Sequence, residues 1–337
     1  MVVWTLPQLP DERPSRIELS RLTRLDTAGA WYLASSREAG TRIEGPSQPH
    51  AALIETVTKS LTAAAPPAAS GPAWRRWLGE IGERVTGGLI FARELAEYLG
   101  RFLAALLRGM RHPSEFRLTS LVHHCQETGV RAVPIVAVMS FLIGVVLAFQ
   151  GAMQLERFGA EVFVVDLIAI SILRELGILL TAIIVAGRTA SALTASIGSM
   201  KMREEIDAMR TLGMDPDMVL ILPRILALVL MLPILGLISD VAGLVGGGIM
   251  AWVALDLSPT MFLSRLSETN VDHVLVGLLK APVFALIIGV IGCHAGMKVG
   301  KDAESLGRMT SNAVVNAIFA VIIADALFSI FFSEIGL

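Results

Sequence analysis

Five apolar stretches, each about as long as a bilayer crossing, most constrain what this chain can fold into. A helix rises about 1.5 Å per residue, so about 20 apolar residues cross the hydrocarbon core. Hydrophobic residues make up 54% of the 337 residues and the mean hydropathy is +0.65, which is too apolar for an ordinary soluble protein. We therefore predict an all-α integral membrane protein. Its spans are expected at about 132–154, 162–188, 218–240, 274–298 and 311–333.

The stretch 218–256 leaves the number of crossings open, because Pro233 and the Gly246–Gly248 cluster interrupt it. It is either one broken span with a re-entrant tail or two spans. Cytoplasmic loops of membrane proteins are enriched in Lys and Arg. The segments 188–216 and 298–308 contain Arg188, Lys201, Arg203, Arg210, Lys298, Lys301 and Arg308, whereas the alternate loops contain only Arg157 and Arg265. This asymmetry favours a single crossing, with a cytoplasmic N-terminus and the C-terminus outside. The first residues also lack the pattern of a secretory signal.

Residues 1–62 form a separate segment, followed by the linker 63–72, AAAPPAASGP. The pattern predicts a strand at 16–20, a helix from Asp26 or Thr27 to about 37, another strand and a helix at 51–61. This order, with the LDTAG turn at 25–29, resembles the second half of a STAS domain, so the segment is interpreted as a partial STAS-like α/β fragment. The resemblance places Thr27 at the regulatory hydroxyl position of that family. A helix cap is the alternative role.

Residues 73–337 are expected to form one membrane domain that begins with an amphipathic helix at about 88–110. Phe91, Leu95 and Phe102 share one face of it, and Arg93 and Arg101 lie on the other. Such a helix is suited to lie in the membrane surface. The alternative is a soluble amphipathic helix packed on the N-terminal segment.

Ionisable residues interrupt the predicted spans. Each costs about 2.5 to 3.5 kcal/mol at the bilayer centre on insertion scales, so several in one protein should pair or line a polar path. The residues concerned are Arg174, Glu175, Arg224, Asp240, Lys280 and Asp325. Arg174, Glu175, Lys280 and Asp325 are the candidate substrate path, with simple pairing as the alternative. Arg224 lies near a predicted boundary and is expected to reach the headgroups.

Small residues recur every four positions in two places. Gly187, Ser191, Ala195 and Ser199 form one such face, and Gly292, Gly296 and Gly300 form another. Small side chains allow helices to approach closely. We predict close helix packing, either within one subunit or across a dimer.

A charged helix is predicted at about 201–212, continuous with the small-faced helix before it. Met202, Ile206 and Met209 form a narrow apolar stripe on it, which is suited to insertion into a groove of another protein. A solvated connecting helix is the alternative. The candidate contact residues are Lys201, Arg203, Glu204, Glu205, Ile206, Asp207, Met209 and Arg210.

Patterns for catalysis and cofactors are weak. The glycines near 246 lack the Gly-Lys-Ser/Thr of a phosphate-binding loop. His123, His124 and Cys125 are adjacent in sequence, which does not suit a metal site. No catalytic residue, metal ligand or cofactor is predicted in this chain, and the net charge of −2 gives no support to nucleic-acid binding. A membrane-embedded aspartyl hydrolase stays open as an alternative, if two of Asp166, Asp240 and Asp325 lie within hydrogen-bonding reach.

Several motifs together resemble the MlaE (YrbE) family of ABC-transporter permeases. They are REL at 174–176, LTAI at 180–183, AGR at 186–188, EEIDAM at 204–209, GMDP at 213–216 and KAPVFALIIGVIGCHAG at 280–296. The resemblance covers roughly residues 88–335. Lys301-Asp302 and Ser196 depart from it, the first where a glycine-rich pair is usual and the second where an acidic residue is common.

The resemblance implies a homodimer in the bacterial inner membrane that moves phospholipid or a related lipid to or from a periplasmic carrier. The implied partners are a cytoplasmic ATPase of the MlaF type, which holds ATP and Mg, a periplasmic MCE-domain protein of the MlaD type, and a STAS protein of the MlaB type. It also implies that the EEIDAM helix docks on the ATPase, that Leu89–Leu107 is the interfacial elbow helix, and that the system maintains outer-membrane lipid asymmetry.

Two other functions compete with this one. A STAS-linked secondary anion transporter would use an ion gradient, although such proteins usually have many more spans. A non-transporting membrane scaffold would tolerate neutralisation of Glu175 and Lys280. Neither the identity of the lipid nor the direction of its movement follows from the sequence.

Overall fold

The computed structural model describes residues 15–20, 22, 24–38, 40–62, 73–113, 116–160 and 163–336. It divides the chain into two units, Met1–Gly87 and Gly88–Leu337. The predicted linker 63–72 lies outside the described residues. A continuous helix begins at Ala73 and runs past Gly87, so the division falls within that helix.

The N-terminal unit has the predicted order of strand, helix, strand and helix. These elements are β1 (Arg16–Glu18), α1 (Thr27–Glu38), β2 (Arg42–Glu44) and α2 (Gln48–Thr62). The two strands are parallel, with Ile17 opposite Ile43, and a small core of Leu19, Ala30, Leu33 and Ile54 lies beneath them. The Asp26 carboxylate accepts a hydrogen bond of 2.7 Å from the Gly29 backbone N–H. Asp26 is therefore the N-cap of α1, and Thr27 is its first residue.

Helix α3 (Ala73–Arg111) includes the range predicted as the elbow helix. Phe102 and Ala105 on it are buried, whereas Leu99 and Leu103 are exposed. The helix thus keeps apolar side chains on its outer surface as well as on its packed one, which suits a position at a membrane surface better than one in water.

Among the described residues, five helices are long and apolar enough to cross a membrane, as the sequence predicts. They cover Leu118–Glu156, Val164–Met202, Asp217–Leu255, Asp272–Lys298 and Ala303–Ile335, and we call them spans one to five. Each overlaps one of the predicted ranges.

Spans one to three are composite helices. Span one contains α4 (Leu118–Thr128), a 3₁₀ turn and α5 (Val133–Glu156). Span two contains α6 (Val164–Ile170), a π-helical turn at Ser171–Leu176, α7 (Gly177–Val185), a second π-helical turn at Ala186–Ala190 and α8 (Ser191–Met202). The short α9 (Glu205–Thr211) precedes span three, which contains a π-helical turn at Asp217–Ile221 and α10 (Leu222–Leu255). Single π-helical turns inside α-helices are frequent at functional sites.

Span three is one continuous helix, which resolves the alternatives left open by the sequence. Its glycines serve close packing against α5 rather than a break. A Cβ at Gly246 would lie 2.1 Å from the Phe141 carbonyl oxygen, and one at Gly144 would lie 2.0 Å from the Gly243 carbonyl oxygen. Pro233 lies inside the helix, as transmembrane helices tolerate.

The remaining elements are α11 (Pro259–Glu268), α12 (Asp272–Lys298) and α13 (Ala303–Ile335). Helix α12 lies at the centre of the bundle, where Phe284 and Ile288 are fully buried together with Leu232 of α10. Asp302 caps α13, since its carboxylate accepts a 2.6 Å hydrogen bond from the Ser305 N–H. This gives a physical reason for an aspartate at one of the positions that depart from the resembled family.

Candidate functional site

Four of the ionisable residues predicted inside the spans meet in one cluster. The Lys280 Nζ donates to Glu175 Oε2 at 2.5 Å, to Asp325 Oδ1 at 3.0 Å and to Ser329 Oγ at 3.3 Å. The Ser329 hydroxyl donates to Glu175 Oε2 at 2.9 Å, and Arg174 Nε lies 3.6 Å from Glu175 Oε1. We call Arg174, Glu175, Lys280, Asp325 and Ser329 the charge cluster.

The charge cluster is neutral and well satisfied. Its two cations balance its two anions, and the three hydrogens of Lys280, which is 0% exposed, have three acceptors. It joins the first π-helical turn of span two to spans four and five. The cluster therefore connects spans two, four and five through hydrogen bonds and ion pairs. A buried charge of this kind needs such partners to compensate it.

The local backbone explains how these side chains meet. A Cβ at Gly277 would lie 2.5 Å from the Leu173 carbonyl oxygen, so the glycine lets α12 approach the π-helical turn one helical turn before Lys280. The sequence analysis missed Ser329. Its position four residues after Asp325 on α13 places both on one helix face, which was the available signal.

Arg224 does not reach the headgroups, so that prediction is wrong. It is 6% exposed, and its Nη2 donates to Ser196 Oγ at 3.0 Å. The physical reason is tertiary packing, because the Arg224 guanidinium on α10 lies against Ser196 of α8 inside the bundle rather than at its edge. Its Nε and Nη1 atoms have no hydrogen-bond partner among the described residues.

The charged segment after span two differs from the predicted continuous helix. Helix α8 ends at Met202, Glu204 adopts a left-handed conformation with φ of 59°, and α9 covers Glu205–Thr211 only. We call residues 203–212 the coupling segment. The break in the helix at Glu204 places α9 against the main core cluster of the same chain.

The break between α8 and α9 determines which side chains of the coupling segment face outwards. Ile206 is 2% exposed and belongs to the main core cluster, and Met209 packs against the same cluster. The predicted apolar stripe therefore faces inwards and is not available for a groove on another protein. Leu212, which the sequence analysis missed, is 75% exposed.

The charged residues from Lys201 to Arg210 also divide into inner and outer groups. Lys201 Nζ donates to the Met297 carbonyl oxygen at 2.6 Å, so Lys201 stabilises the end of α12. Arg203 pairs with Glu205 at 3.8 Å, and Arg210 pairs with Asp207 at 3.3 Å. Arg203, Glu204, Asp207 and Arg210 are exposed.

Comparison with known proteins identifies the membrane unit. The family model described as Permease MlaE matches residues 121–331. The chain belongs to the MlaE permease family. A probable ABC transporter permease protein of Rickettsia bellii is 35% identical over 246 residues, which are 72% of this chain and 94% of that protein. A probable ABC transporter permease protein of Synechocystis is 31% identical over 255 residues, which are 75% of this chain and 95% of that protein.

A plant protein is also similar to this permease. Protein TRIGALACTOSYLDIACYLGLYCEROL 1, chloroplastic, of Arabidopsis thaliana is 29% identical over 236 residues, which are 70% of this chain and 66% of that protein. The permease is thus a multi-pass membrane subunit of an ABC transporter, a class in which a separate ATPase supplies the energy.

Ion pairs that the sequence analysis missed attach α3 to the rest of the permease domain. Arg101 donates to both carboxylate oxygens of Asp217, at 2.9 and 2.8 Å, and Arg108 Nη1 donates to Asp215 Oδ2 at 2.7 Å. The hydrogen bond to Asp217 raises the pKa of Arg101. The sequence contains a signal for these ion pairs. Two arginines lie seven residues apart on one helix, and two aspartates flank Pro216.

A further contact joins α3 to the end of α12. Lys298 Nζ lies 2.5 Å from Glu94 Oε2, and His294 Nε2 lies 3.3 Å from the same oxygen. The hydrogen bond from Lys298 lowers the pKa of Glu94. The stabilisation is therefore present at neutral pH and is lost as the pH falls through the lowered pKa.

Within the described residues of one chain, the small-residue face on α12 packs closely, whereas packing of the other face across a dimer stays a prediction. A Cβ at Gly292 would lie 3.2 Å from Ala190 Cα, and one at Gly296 would lie 2.8 Å from Ile197 Cβ, so α12 packs closely on span two. The contacting face of span two is adjacent to the predicted one. A Cβ at Gly187 would meet no atom within 4 Å, and Ser191, Ala195 and Ser199 are half-buried.

The geometry required for an aspartyl hydrolase is not found in the part of the chain that the structure describes. No hydrogen bond joins any two of Asp166, Asp240 and Asp325, and Asp325 is engaged by Lys280. Within the same residues no group of three His, Cys, Asp or Glu is placed to hold a metal ion.

Proposed function

We propose that this permease moves phospholipid or a related hydrophobic lipid between the bacterial inner membrane and a periplasmic MCE-type carrier. The observation that carries the proposal is the match to the MlaE permease family over most of the membrane unit. The name of the plant relative refers to a diacylglycerol-based lipid, which supports a lipid substrate.

The charge cluster supports an apolar rather than a hydrophilic substrate. Its ionisable groups bind one another, so among the described residues they offer no open row of charges to a polar solute. The outer surfaces of the spans are apolar, with Leu142, Val146, Val241 and Phe319 among the exposed side chains. A lipid can reach such surfaces directly from the bilayer.

Two copies of the permease, each with a cytoplasmic N-terminus, would form the membrane part of the transporter. An MlaF-like ATPase would bind the coupling segment through its exposed residues, an MlaD-like protein would receive or deliver the lipid outside, and an MlaB-like STAS protein would bind the ATPase. The role of this system would be to maintain outer-membrane lipid asymmetry. ATP can drive lipid movement only through contacts that differ between two conformations.

The test is lipid transfer by the reconstituted complex. The chain is coexpressed with its cognate ABC ATPase, reconstituted with a fluorescent phospholipid, and mixed with the soluble domain of the cognate MCE protein. We expect transfer that requires ATP and that stops when the catalytic glutamate of the ATPase is replaced by glutamine. Equal transfer with and without ATP, or none although the complex hydrolyses ATP, would contradict the proposal.

A further inference from the structure

Asp240 is a buried carboxyl group outside the charge cluster. It lies within α10, is 7% exposed, and its Oδ1 atom has no hydrogen-bond partner among the described residues. Asp325, by contrast, bonds to Lys280 at 3.0 Å. Asp240 and Asp325 therefore lie in opposite electrostatic surroundings.

Gly177 provides the space that the Asp240 carboxyl occupies. A Cβ at Gly177 would lie 1.9 Å from Asp240 Oδ1 and 2.9 Å from the Ile172 carbonyl oxygen. The Gly177 N–H already bonds to that carbonyl as part of the first π-helical turn. The Ile172 carbonyl oxygen has a second lone pair that can accept another hydrogen bond. This oxygen and the Asp240 carboxyl both lie beside Gly177.

The neighbouring hydroxyl groups donate elsewhere. Ser239 Oγ donates to the Gly177 carbonyl oxygen at 3.0 Å, and Thr181 Oγ1 donates to the same oxygen at 2.7 Å. Ser140 and Ser239 are 2.6 Å apart. Because Ser239 gives its hydrogen to Gly177, Ser140 is the donor of this pair. These hydroxyl hydrogens are therefore not available to stabilise an ionised Asp240.

The packed elements also provide no free counter-charge. Helix α5 carries no ionisable residue between Val133 and Leu155, and α7 carries none. The charged groups on the π-helical turn and on α12 near this level, Arg174, Glu175 and Lys280, belong to the charge cluster. No ion pair involves Asp240 among the described residues. A carboxylate buried in this way costs several kcal/mol, and such a group takes up a proton instead.

We propose that Asp240 is a proton-binding site of this permease. Its carboxyl is neutral at physiological pH while α5, α7 and α10 are packed as in this structure, and it releases the proton when these helices separate and water enters. A proton fits the site because it needs no additional volume. Oδ1 is enclosed too closely to contact even a water molecule, so a hydrated cation does not reach this oxygen.

The first test is infrared spectroscopy of the purified full-length chain in lipid nanodiscs at pH 7. We expect a protonated-carboxyl C=O band that is lost in Asp240→Asn and retained in the control Asp166→Asn, whose aspartate is half-buried on span two and lies outside the charge cluster. The asparagine is neutral and of nearly the same shape, so the variant should fold. Absence of the band in the wild-type chain, or its persistence in Asp240→Asn, would overturn the proposal.

A second measurement needs no variant. Solid-state NMR of the wild-type chain labelled with ¹³C-aspartate should show one protonated aspartate carboxyl at pH 7, and a spectrum with ionised aspartates only would also overturn the proposal. Neither measurement depends on lipid transfer. A negative result here therefore leaves the proposed function untouched, and failure of lipid transfer leaves this site untouched.

Discussion

At the scale of single residues, Lys280 has the most demanding position in the molecule. It is completely buried, yet it carries a charge that two carboxylates and a hydroxyl compensate. A buried ion pair of this kind adds little stability compared with an apolar replacement of all its members. Removal of one partner is costly, because it leaves the others buried and uncompensated.

We predict that Lys280→Met lowers the stability of the chain by about 3 to 5 kcal/mol, which corresponds to a fall in Tm of about 10 °C. The matched control is Lys298→Met on the same helix, whose lysine side chain is 48% exposed and whose loss should cost under about 1 kcal/mol. The measurement is thermal unfolding in detergent. Neutralising Glu175 and Asp325 together with Lys280 should recover most of the loss, and equal Tm values for the two lysine variants would contradict this account.

At the scale of elements, α3 is bound to the start of span three rather than lying loosely on the bundle. The Arg101–Asp217 pair is bidentate, and Arg108 pairs with Asp215, two residues before span three begins. Both aspartates follow the coupling segment directly in the chain. A displacement of that segment is therefore resisted by α3 through these two pairs.

We predict a coupling energy of about 1 kcal/mol between Arg101 and Asp217 in a double-mutant cycle with alanine at each position. Arg101→Ala should lower Tm by about 2 to 4 °C, because it leaves the partly buried Asp217 without its donor. Arg93→Ala on the same helix, at an exposed position, is the control and should have little effect. Additive effects of the Arg101 and Asp217 substitutions would show that the pair does not attach the helix.

Predictions from the sequence agree with the structure for some elements and not for others. Apolar length and the distribution of Lys and Arg were sufficient to predict five spans. For Glu175, Lys280 and Asp325 the cost of buried charge left two outcomes, a substrate path and simple pairing, and the structure shows that these side chains pair. The inward direction of Ile206 was not predictable, because it depends on the left-handed Glu204, a conformation that glycine, not glutamate, usually adopts. The burial of Arg224 was missed because it depends on tertiary packing of α10 against α8, where Ser196 lies.

At the scale of the whole molecule, the account requires the two ends of the bundle to face different compartments. The coupling segment, with exposed Leu212, lies at one end, and α11, with exposed Ser264, lies in the connection between spans three and four. Because span three lies between these two positions, a single crossing puts them on opposite sides of the membrane. The proposed function requires the exposed coupling segment to be on the side where the ATPase and ATP are present.

The most direct test of this central claim is thiol labelling of Leu212→Cys in a chain whose Cys125 and Cys293 are replaced by alanine. We predict that a membrane-impermeant maleimide labels this variant in inverted vesicles and not in intact cells, and that coexpression of the cognate ABC ATPase protects it. Ser264→Cys in the same background is the control and should be labelled from outside the cell only. Labelling of Leu212→Cys in intact cells, or labelling in inverted vesicles that the ATPase does not reduce, would contradict the account.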